Sequence, residues 1–366
     1  MRLPRLAILL CLAMPGIALA VLPPGGWDKR RLNARDDHLS VANAINNQGR
    51  VVGTVEDAQG ARQAVIFEGD SVRAIGTLGG MQSDAYALSG RGDIAGSAQI
   101  PNGYWHAYVR ATNGTLRDLG TLGGYNSSAT SVNSSGQAAG YADTPDQQWH
   151  AFYDDGSAMH DIGTLGGEYS AAMGINKRGQ VVGLAQTRDG YHHAFVYSLD
   201  GGIRDLGTLG GRQSAAYSIN DQGNIVGVAE TAARQWHAFV VRDGKMEDLG
   251  AVLDGRSSAI SINNYNQILG TQSGGYRRSF VYELDKEVRY LSGDSAIYQP
   301  RGMNDRADIV GSSLMLSKLR AAVLYALPGA PGVFQLSQSQ IAALLLAAAL
   351  LGALALRQQR AFRQFG

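Results

Sequence analysis

The chain has 366 residues, a formal net charge of +1 and only 17% charged residues. This length allows one large domain or two ordinary ones, and the near-zero charge excludes an electrostatic basis for binding nucleic acid or an anionic lipid surface. The single cysteine, Cys11, excludes an intrachain disulfide and a cysteine-based metal site, whereas 48 glycines suit a protein rich in tight turns.

The first 20 residues have the pattern of a secretory signal peptide. Arg2 and Arg5 provide a positively charged start, residues 6–12 form a short apolar core, and residues 18–20 offer small side chains for cleavage before Val21. We therefore expect an exported protein whose mature chain begins at residue 21 and lacks cysteine.

The chain up to residue 327 is built from one repeated frame. The frame reads Ile-Asn-x-x-Gly-x-Val-Val-Gly and is clearest between Ile219 and Gly227. A period of 41 to 44 residues separates its first residues, which are Ile45, Leu88, Val132, Ile175, Ile219, Ile262 and Met303. A nearly fixed period of this length indicates a repeat architecture.

Each repeat encodes four short strands. In the fifth repeat these are residues 214–220, 224–229, 236–241 and 246–249, separated by turns that contain Gly and Asp and by one polar loop. A four-stranded meander is too small to bury its own faces, so neighbouring repeats must stack. Four strands in ~40–45 residues is the signature of a propeller blade. No window of the repeats has the apolar spacing of a helix.

The two ends of the repeat region complement each other. Residues 29–32 match a fourth strand without a blade of its own, because Leu32 precedes Ser40 by the same eight residues that separate equivalent positions in the fifth repeat. The seventh repeat supplies three strands and stops before Pro328. We therefore predict an all-β, seven-bladed propeller over residues 21–327 whose last blade is completed by the N-terminal strand, which removes the exposed sheet edge.

The C-terminus has a different composition. Residues 328–340 form a linker, residues 341–356 are uninterruptedly apolar, and residues 357–366 form a basic tail. The apolar stretch is slightly shorter than the ~20 residues that usually span a bilayer, but it is apolar on all sides and we expect a transmembrane helix with a cytoplasmic tail. This arrangement resembles the C-terminal sorting tags of exported bacterial proteins, which implies a sorting protease as a partner. A plain membrane anchor is the alternative.

Four histidines occupy equivalent places on the predicted third strands, and an aspartate follows each on the predicted fourth strand. The pairs are His106 with Asp118, His150 with Asp161, His193 with Asp205, and His237 with Asp248. The other three repeats lack both residues at these places. Two residues that are either both present or both absent in a repeat are expected to be in contact. We interpret each pair as a structural cross-strand hydrogen bond and not as a metal site or a catalytic dyad.

The segment Gly-Thr-Leu-Gly-Gly occurs four times, beginning at Gly76, Gly120, Gly163 and Gly207. It lacks the lysine and the following helix of a phosphate-binding loop. We predict a tight connection between blades, with the leucine packed between them. The serine that opens the first strand in six repeats is likewise expected to be architectural. No nucleophile elbow, zinc-binding His-Glu-x-x-His or calcium loop occurs, so no catalytic residue and no cofactor are assigned.

Three repeated motifs together resemble those of a known protein family. His-Ala-Phe or a close copy begins at His106, His150, His193 and His237. With the Gly-Thr-Leu-Gly-Gly and Ile-Asn-x-x-Gly segments, it resembles the HAF family of extracellular repeat proteins of bacteria, over roughly residues 40–325. The resemblance implies secretion and a repeat-built β fold, but no established activity. The last two repeats depart from it at residues 278–280 and 321–323.

Candidate binding residues lie between the second and third strands, on the side where the blade-to-blade loops should also emerge. They are Tyr104, Trp105, Trp149, Tyr191, Trp236 and Tyr276. Aromatic rings near a channel mouth suit carbohydrate or peptide binding. The alternative is that the tryptophans pack between blades beside their histidines. A catalytic residue would have to lie where a repeat deviates, and the candidates are the predicted loop at residues 276–278 and the stretch at residues 294–301.

The sequence therefore predicts an exported binding or scaffolding propeller, sorted to the surface or anchored in the membrane, with a carbohydrate or protein as its ligand. The alternative function is a propeller hydrolase or lyase that acts on polysaccharide, and a third is a component that acts only when multimeric. Clustered carboxylates at the channel mouth would favour the enzyme, whereas an aromatic, uncharged mouth would favour binding.

Overall fold

The structure is a computed structural model that describes residues 28–32, 39–253, 255–274, 276–291, 299–314 and 320–326. These residues form seven four-stranded antiparallel sheets, which are the blades of one propeller. The predicted all-β, seven-bladed fold is therefore confirmed. The predicted signal peptide, linker, apolar helix and basic tail lie outside the described residues. Within the described part, no helix has the length and hydropathy needed to cross a membrane.

Blades 1 to 6 each contain four consecutive strands. Strand β1 (Asp28–Arg31) precedes blade 1, which contains β2 (Leu39–Ile45), β3 (Val51–Glu56), β4 (Arg62–Glu68) and β5 (Ser71–Ala74). Blade 2 contains β6 (Ser83–Leu88), β7 (Ile94–Gln99), β8 (Trp105–Arg110) and β9 (Leu116–Gly120). Blade 3 contains β10 (Ser127–Val132), β11 (Ala138–Asp143), β12 (Trp149–Asp154) and β13 (Met159–Gly163).

The remaining blades repeat this pattern. Blade 4 contains β14 (Gly166–Ile175), β15 (Val181–Thr187), β16 (His192–Ser198) and β17 (Gly202–Gly207). Blade 5 contains β18 (Gly210–Ile219), β19 (Ile225–Thr231), β20 (Trp236–Arg242) and β21 (Lys245–Asp248), and the short helix α1 (Gly250–Leu253) follows it. Blade 6 contains β22 (Ser257–Ile262), β23 (Gln267–Gly274), β24 (Tyr276–Glu283) and β25 (Val288–Tyr290). Blade 7 contains β26 (Gln299–Met303), β27 (Ile309–Leu314) and β28 (Arg320–Ala326) together with β1.

The N-terminal strand closes the ring, as predicted. Strand β1 pairs antiparallel with β28, with Lys29 opposite Tyr325. The backbone N–H of Leu32 then donates to the carbonyl of Ala322 at 3.0 Å. The Leu32 side chain is 4% exposed and packs between blades 7 and 1. Both ends of the propeller domain therefore share one sheet, and β28 has no free edge.

The hydrophobic core is divided into clusters that lie between adjacent blades. Between blades 2 and 3, for example, Ala107 packs with Ala129 and Phe152, and Leu122 of the Gly-Thr-Leu-Gly-Gly loop covers the same cluster. Equivalent clusters lie at the other blade interfaces. The core is arranged in this way because a single four-stranded sheet cannot cover its own faces.

A β-bulge interrupts the first strand of every blade where it pairs with the second strand. The glycine that ends the repeated frame lies opposite the bulge. At Gly227, an added Cβ would lie only 2.0 Å from the carbonyl oxygen of Ala215. No larger residue fits such a close approach of two backbones. The bulge leaves one residue of the first strand unpaired, and a bulge of this kind re-aims a side chain.

The asparagine of the repeated frame joins each blade to the next. Asn220 Oδ1 accepts from the backbone N–H groups of Gln222 and Asn224 in its own turn, and its Nδ2 donates to the carbonyl of Asn263 in the next blade at 3.1 Å. The same amide-to-carbonyl contact is made by Asn46, Asn133, Asn176, Asn263 and Asn304. In blade 2 this place is occupied by Ser89, whose hydroxyl instead donates to Asp93 Oδ2 at 3.1 Å.

The opening serines also join blades. The hydroxyl of Ser170 in blade 4 accepts from the backbone N–H of Ala151 in blade 3 at 2.8 Å and donates to the carbonyl of Gly163 at 2.6 Å. Ala151 lies at a second bulge, between the third and fourth strands, where its N–H is not paired within the sheet. The serine satisfies this N–H from the next blade, which explains why it recurs around the ring.

Candidate functional site

The bulged residue of each blade lines the central channel. These residues are Asn43, Tyr86, Thr130, Met173, Tyr217, Ile260 and Arg301. Together with Gln299 and Pro300 they surround a cavity of about 430 Å³, which we call the channel chamber. Its volume lies within the range of ~300–1,000 Å³ that is usual for ligand pockets.

The residue type at the bulged position varies from blade to blade, more than that of its two neighbours. It carries six residue types in seven blades, from Ile260 to Arg301. The position before it is alanine in six blades, and the position after it is always small. Backbone packing explains the small neighbours, because the strands crowd around the channel axis. Asn43 and Thr130 donate from the bulged position to the backbone carbonyls of Ala85 and Ala172 in the next blade, both at 2.8 Å. The repeat does not use the same residue here in every blade, so the position can also supply side chains that face a ligand in the chamber.

A second cavity, of about 290 Å³, opens across blades 1 to 3. We call it the aromatic cleft. It is lined by Arg62, Asp84, Tyr86, Ser97, Trp105, Asn126, Ser127, Ser128, Tyr141, Asp143 and Trp149. Tyr86 lines both the cleft and the channel chamber, so the two cavities share a wall. Two of the predicted binding residues, Trp105 and Trp149, therefore lie in one site.

Aromatic rings line the cleft, and one of them, Trp149, is largely exposed. Trp149 is 55% exposed and is tilted against Tyr141, with 5.7 Å between ring centroids. The guanidinium of Arg62 lies over the ring of Trp105 at 4.8 Å, in a cation–π contact. Packing between the blades, the alternative interpretation of the tryptophans, is wrong for Trp149 because more than half of its surface is open.

Asp84 organises the floor of the cleft. Its side chain is 3% exposed and accepts from Thr54 Oγ1 at 3.0 Å and from the Tyr86 hydroxyl at 3.2 Å. Arg62 Nη1 lies 3.0 Å from Asp84 Oδ2, the oxygen that also accepts from Tyr86. Burial, reinforced by the charge of Asp84, raises the pKa of the Tyr86 phenol to about 12. The phenol is therefore protonated at neutral pH and acts as a hydrogen-bond donor.

A second carboxylate fixes the rim. Asp143 is 6% exposed, and its Oδ2 accepts from the backbone N–H and the side-chain Nδ2 of Asn126, at 2.9 and 3.0 Å. Asn126 Oδ1 in turn accepts from the backbone N–H of Trp105 at 3.1 Å. This chain of hydrogen bonds ties the blade-to-blade loop to the third strand of blade 2. The polar groups of the cleft are therefore positioned before any ligand arrives.

The motifs of the sequence did not point to Asp84, Tyr86, Tyr141 or Asp143. A comparison of the repeats position by position would have found the first of them. The residue after the opening serine is, in order, Val41, Asp84, Ser128, Ala171, Ala215 and Ser258, so blade 2 alone has a charge there. Deviation in one blade is the expected sign of a functional residue, although the candidate deviations named from the sequence are residues 276–278 and 294–301.

Those two segments have other positions in the structure. Tyr276 begins strand β24 and pairs with Gly274, so the predicted loop at residues 276–278 is wrong, because these residues belong to the strand. The side chain of Tyr276 is outside the described part. Within the second segment, residues 294–298 are also outside it, and Arg301 lines the channel chamber.

The remaining predicted binding residues for which the structure describes a side chain do not line the cleft. Tyr104 stacks on Tyr125 with 4.9 Å between centroids. Tyr191 lies under the guanidinium of Arg212 at 5.2 Å. Trp236 is half-buried. None of the three lines the aromatic cleft.

The histidine–aspartate pairs lie on the third and fourth strands, as the spacing predicts. In all four, Nδ1 of the histidine lies 2.8 to 3.1 Å from a carboxylate oxygen. Each aspartate also accepts from the backbone N–H of the glycine two residues later, as Asp118 does from Gly120 at 2.8 Å. The carboxylate thus joins the third strand to the start of the next loop. Within the described residues, no group of three or more His, Cys, Asp or Glu side chains is placed to hold a metal ion.

No protein-family model and no curated protein matches the chain. Solved structures do match it. The β-propeller domain of the Trilobed protease from Pyrococcus furiosus is 10% identical with a TM-score of 0.58, over 81% of this chain and 97% of that one. A puromycin hydrolase mutant is 13% identical with a TM-score of 0.51, over 83% of this chain and 52% of that one. TolB from Acinetobacter baumannii is 13% identical with a TM-score of 0.44, over 79% and 64% of the two chains.

Identities this low show a shared fold and nothing about activity. The Pyrococcus propeller is described as having an open velcro topology. In the present chain, by contrast, β1 and β28 close the last blade. The chain therefore has the architecture of a closed seven-bladed β-propeller, with a ligand-sized chamber on its axis and an aromatic cleft beside it.

Proposed function

We propose that the protein is an exported ligand-binding propeller that binds a neutral saccharide in the aromatic cleft. The observation that carries the proposal is the open face of Trp149, 55% exposed, beside a network of buried hydrogen-bonded side chains. Flat aromatic rings stack on the C–H faces of sugars, and buried, pre-positioned polar groups select hydroxyl orientation.

The charges of the cleft favour a ligand without an acidic group. Arg62 offsets Asp84, with which it forms an ion pair at 3.0 Å. Asp143 has no arginine or lysine among the described lining residues, so the cleft has a formal charge of −1. A carboxylate or sulfate on the ligand would be repelled at close range, because the second aspartate is almost fully buried and screened little by salt.

The alternative function, a polysaccharide hydrolase or lyase, has less support in the cleft. A glycosidase needs one carboxyl group that exchanges a proton and a second that acts as a base or nucleophile. Asp84 already accepts from Thr54 and Tyr86 and is ion-paired with Arg62, which holds it in the ionised form and disfavours proton exchange. A lyase would need a base, and a phenol with a pKa of about 12 is a poor one at neutral pH. Appearance of shortened products after incubation with a bound glycan would favour the alternative.

The proposal extends to location and kinship. The pattern of residues 1–20 supports export, and the apolar stretch at residues 341–356 supports a membrane anchor or a tag that a sorting protease removes. The repeated His-Ala-Phe and Gly-Thr-Leu-Gly-Gly motifs support kinship with the HAF family.

The test is a screen of the detergent-solubilised full-length chain on a glycan array, followed by calorimetry with Trp149→Ala. We expect a neutral saccharide to bind, and the variant to bind it at least ~10-fold more weakly, as is usual for a central aromatic anchor. Trp236→Ala is the matched control, because Trp236 has the equivalent place in blade 5 but does not line the cleft. Equal losses in the two variants, or binding of acidic glycans alone, would contradict the proposal.

A further inference from the structure

We propose that the ligand is a linear saccharide chain, and that the stacked pair of Tyr104 and Tyr125 is a second sugar subsite beside the aromatic cleft. This inference rests on the proposed function of the cleft and names the class of ligand. It follows from three features of the pair: its position, its rigidity, and its absence from the other blades.

The pair lies directly beside the cleft. Tyr104 precedes Trp105, and Tyr125 precedes Asn126, and both following residues line the cleft. Consecutive Cα atoms are ~3.8 Å apart, so the backbone of the pair is continuous with the cleft wall on two separate loops. The hydrogen bond from the Trp105 N–H to Asn126 Oδ1 joins these loops at the point where the pair begins.

The pair is a rigid platform with open faces. The rings are 4.9 Å apart and 18° from parallel, yet Tyr104 is 41% exposed and Tyr125 is 52% exposed. Each ring therefore covers one face of the other and leaves the outer face open. The Tyr104 backbone is fixed on both sides, since its N–H donates to Asn102 Oδ1 at 3.1 Å and its carbonyl accepts from Ile100 at 3.0 Å. A platform that is ordered in advance loses little entropy when a ligand stacks on it.

No other repeat has an aromatic residue at both of these places. In blade 4 the place of Tyr104 is taken by Tyr191 and that of Tyr125 by Arg212, whose guanidinium covers the ring at 5.2 Å. In blade 3 the two places are taken by Gln148 and Glu168. An aromatic pair with open faces thus occurs beside the aromatic cleft, where a second sugar of a bound chain would lie. Architecture alone does not account for it, because blade 4 has the same loops without it.

If there are two adjacent subsites, the affinity for a saccharide should depend on the number of its linked sugar units. Once one sugar is bound in the cleft, the next sugar meets the tyrosine pair at a high effective concentration, so affinity rises with the number of linked units. Tyr86 lines both the cleft and the channel chamber, so a bound saccharide could also extend from the cleft toward the chamber.

The experiment measures calorimetric affinity of the full-length chain for glucose and N-acetylglucosamine and for their linear oligomers of two, three and six units. We expect the hexamer of the sugar that binds to be at least ~10-fold tighter than the monomer. Tyr125→Ala should weaken hexamer binding ~3- to 10-fold, the range of one aromatic contact, and leave monomer binding unchanged. Tyr125→Phe retains the ring and should retain the affinity.

Tyr191→Ala is the matched control, since it removes the equivalent tyrosine in blade 4, and thermal unfolding of each variant checks the fold. Equal affinities for monomer and hexamer, with Trp149→Ala still harmful, would overturn the second subsite and leave the proposed function standing. Equal effects of Tyr125→Ala and Tyr191→Ala would also overturn it. Binding of no saccharide by the intact protein would instead refute the proposed function itself.

Discussion

At the residue scale, the histidine–aspartate pairs show how one side chain supports both a strand and a loop. The carboxylate of Asp248 contacts His237 Nδ1 at 2.9 Å and accepts from the backbone N–H of Gly250 at 2.7 Å. Its side chain is 40% exposed, so water screens much of the attraction. The pair therefore contributes modestly to stability and mainly fixes the position of the loop.

A double-mutant cycle on His237→Ala and Asp248→Ala measures this contribution. We expect a coupling of about 0.5–1 kcal/mol in the free energy of unfolding, the size of an ordinary cross-strand pair, from denaturant titrations. A cycle on His193→Ala and Asp248→Ala, which combines residues of different blades, should show no coupling. Additive losses in both cycles would mean that the observed contact does not stabilise the sheet.

Tyr86 gives a prediction about pH. Its pKa is raised from 10.0 to about 12, mainly by burial and then by Asp84. As the pH rises, the phenol ionises in the unfolded chain at a lower pH than in the folded protein. The contribution of the protonated phenol to stability is therefore complete below pH 10 and is lost as the pH rises toward 12. Between pH 10 and pH 12, both the intact protein and Tyr86→Phe should lose unfolding free energy. The loss should be about 2 kcal/mol smaller for Tyr86→Phe, which has no phenol to ionise. Parallel curves would show that the phenol is not shielded.

At the element scale, the first strand of each blade has two separate tasks. Its bulge turns one side chain into the channel, as with Tyr217, and its final asparagine donates to the next blade, as Asn220 does to Asn263. The second task is performed by asparagine in six of the seven blades, whereas the residue that performs the first task varies. The interface between blades 2 and 3 lacks this amide because Ser89 replaces the asparagine. Residues of the same two blades line part of the aromatic cleft.

Ser89→Asn should strengthen this interface. Blade 7 already provides the template, since Asn304 donates both to Asp308 in its own turn and to the carbonyl of Asn46, and blade 2 has Asp93 at the place of Asp308. One added hydrogen bond is worth about 1 kcal/mol, so we expect the melting temperature to rise by about 2 °C. Asn220→Ser should lower it by a similar amount. A lower melting temperature for Ser89→Asn would show that the turn of blade 2 cannot accept the amide.

At the scale of the whole molecule, stability depends on closure of the ring. Strand β1 supplies the outer strand of blade 7, and Leu32 fills the interface with blade 1. Without β1, the backbone groups of β28 would be unpaired and open to pairing with another chain.

Deletion of residues 28–32 should therefore lower the melting temperature by at least ~5 °C and promote aggregation, measured by calorimetry and light scattering. Deletion of residues 22–26 removes the same number of residues ahead of the strand and is the control, for which we expect little change. If the two deletions melted alike, the closing strand would be dispensable and the account of the ring would be wrong.

The sequence by itself determined the blades and their closure. The signals are local: they are the turn glycines, the alternation of short strands and the unmatched strand at residues 29–32. The turn glycines and the short strands recur in every repeat or nearly every repeat, which makes them easy to recognise. The histidine–aspartate contacts could be predicted for the same reason, because both residues lie within one repeat and vary together. The short helix α1 could not, since it follows blade 5, where the Gly-Thr-Leu-Gly-Gly segment is replaced by a different sequence.

Only the tertiary structure decided where the cleft is and which residues form it. Arg62, Asp84 and Tyr141 lie on three different blades, and their meeting depends on the twist of each sheet and on the bulge that places Tyr86 between cleft and channel. No spacing along the chain records such a meeting. The repeated positions encode the fold in every blade, whereas the residues that form the cleft are found at positions where the repeats differ.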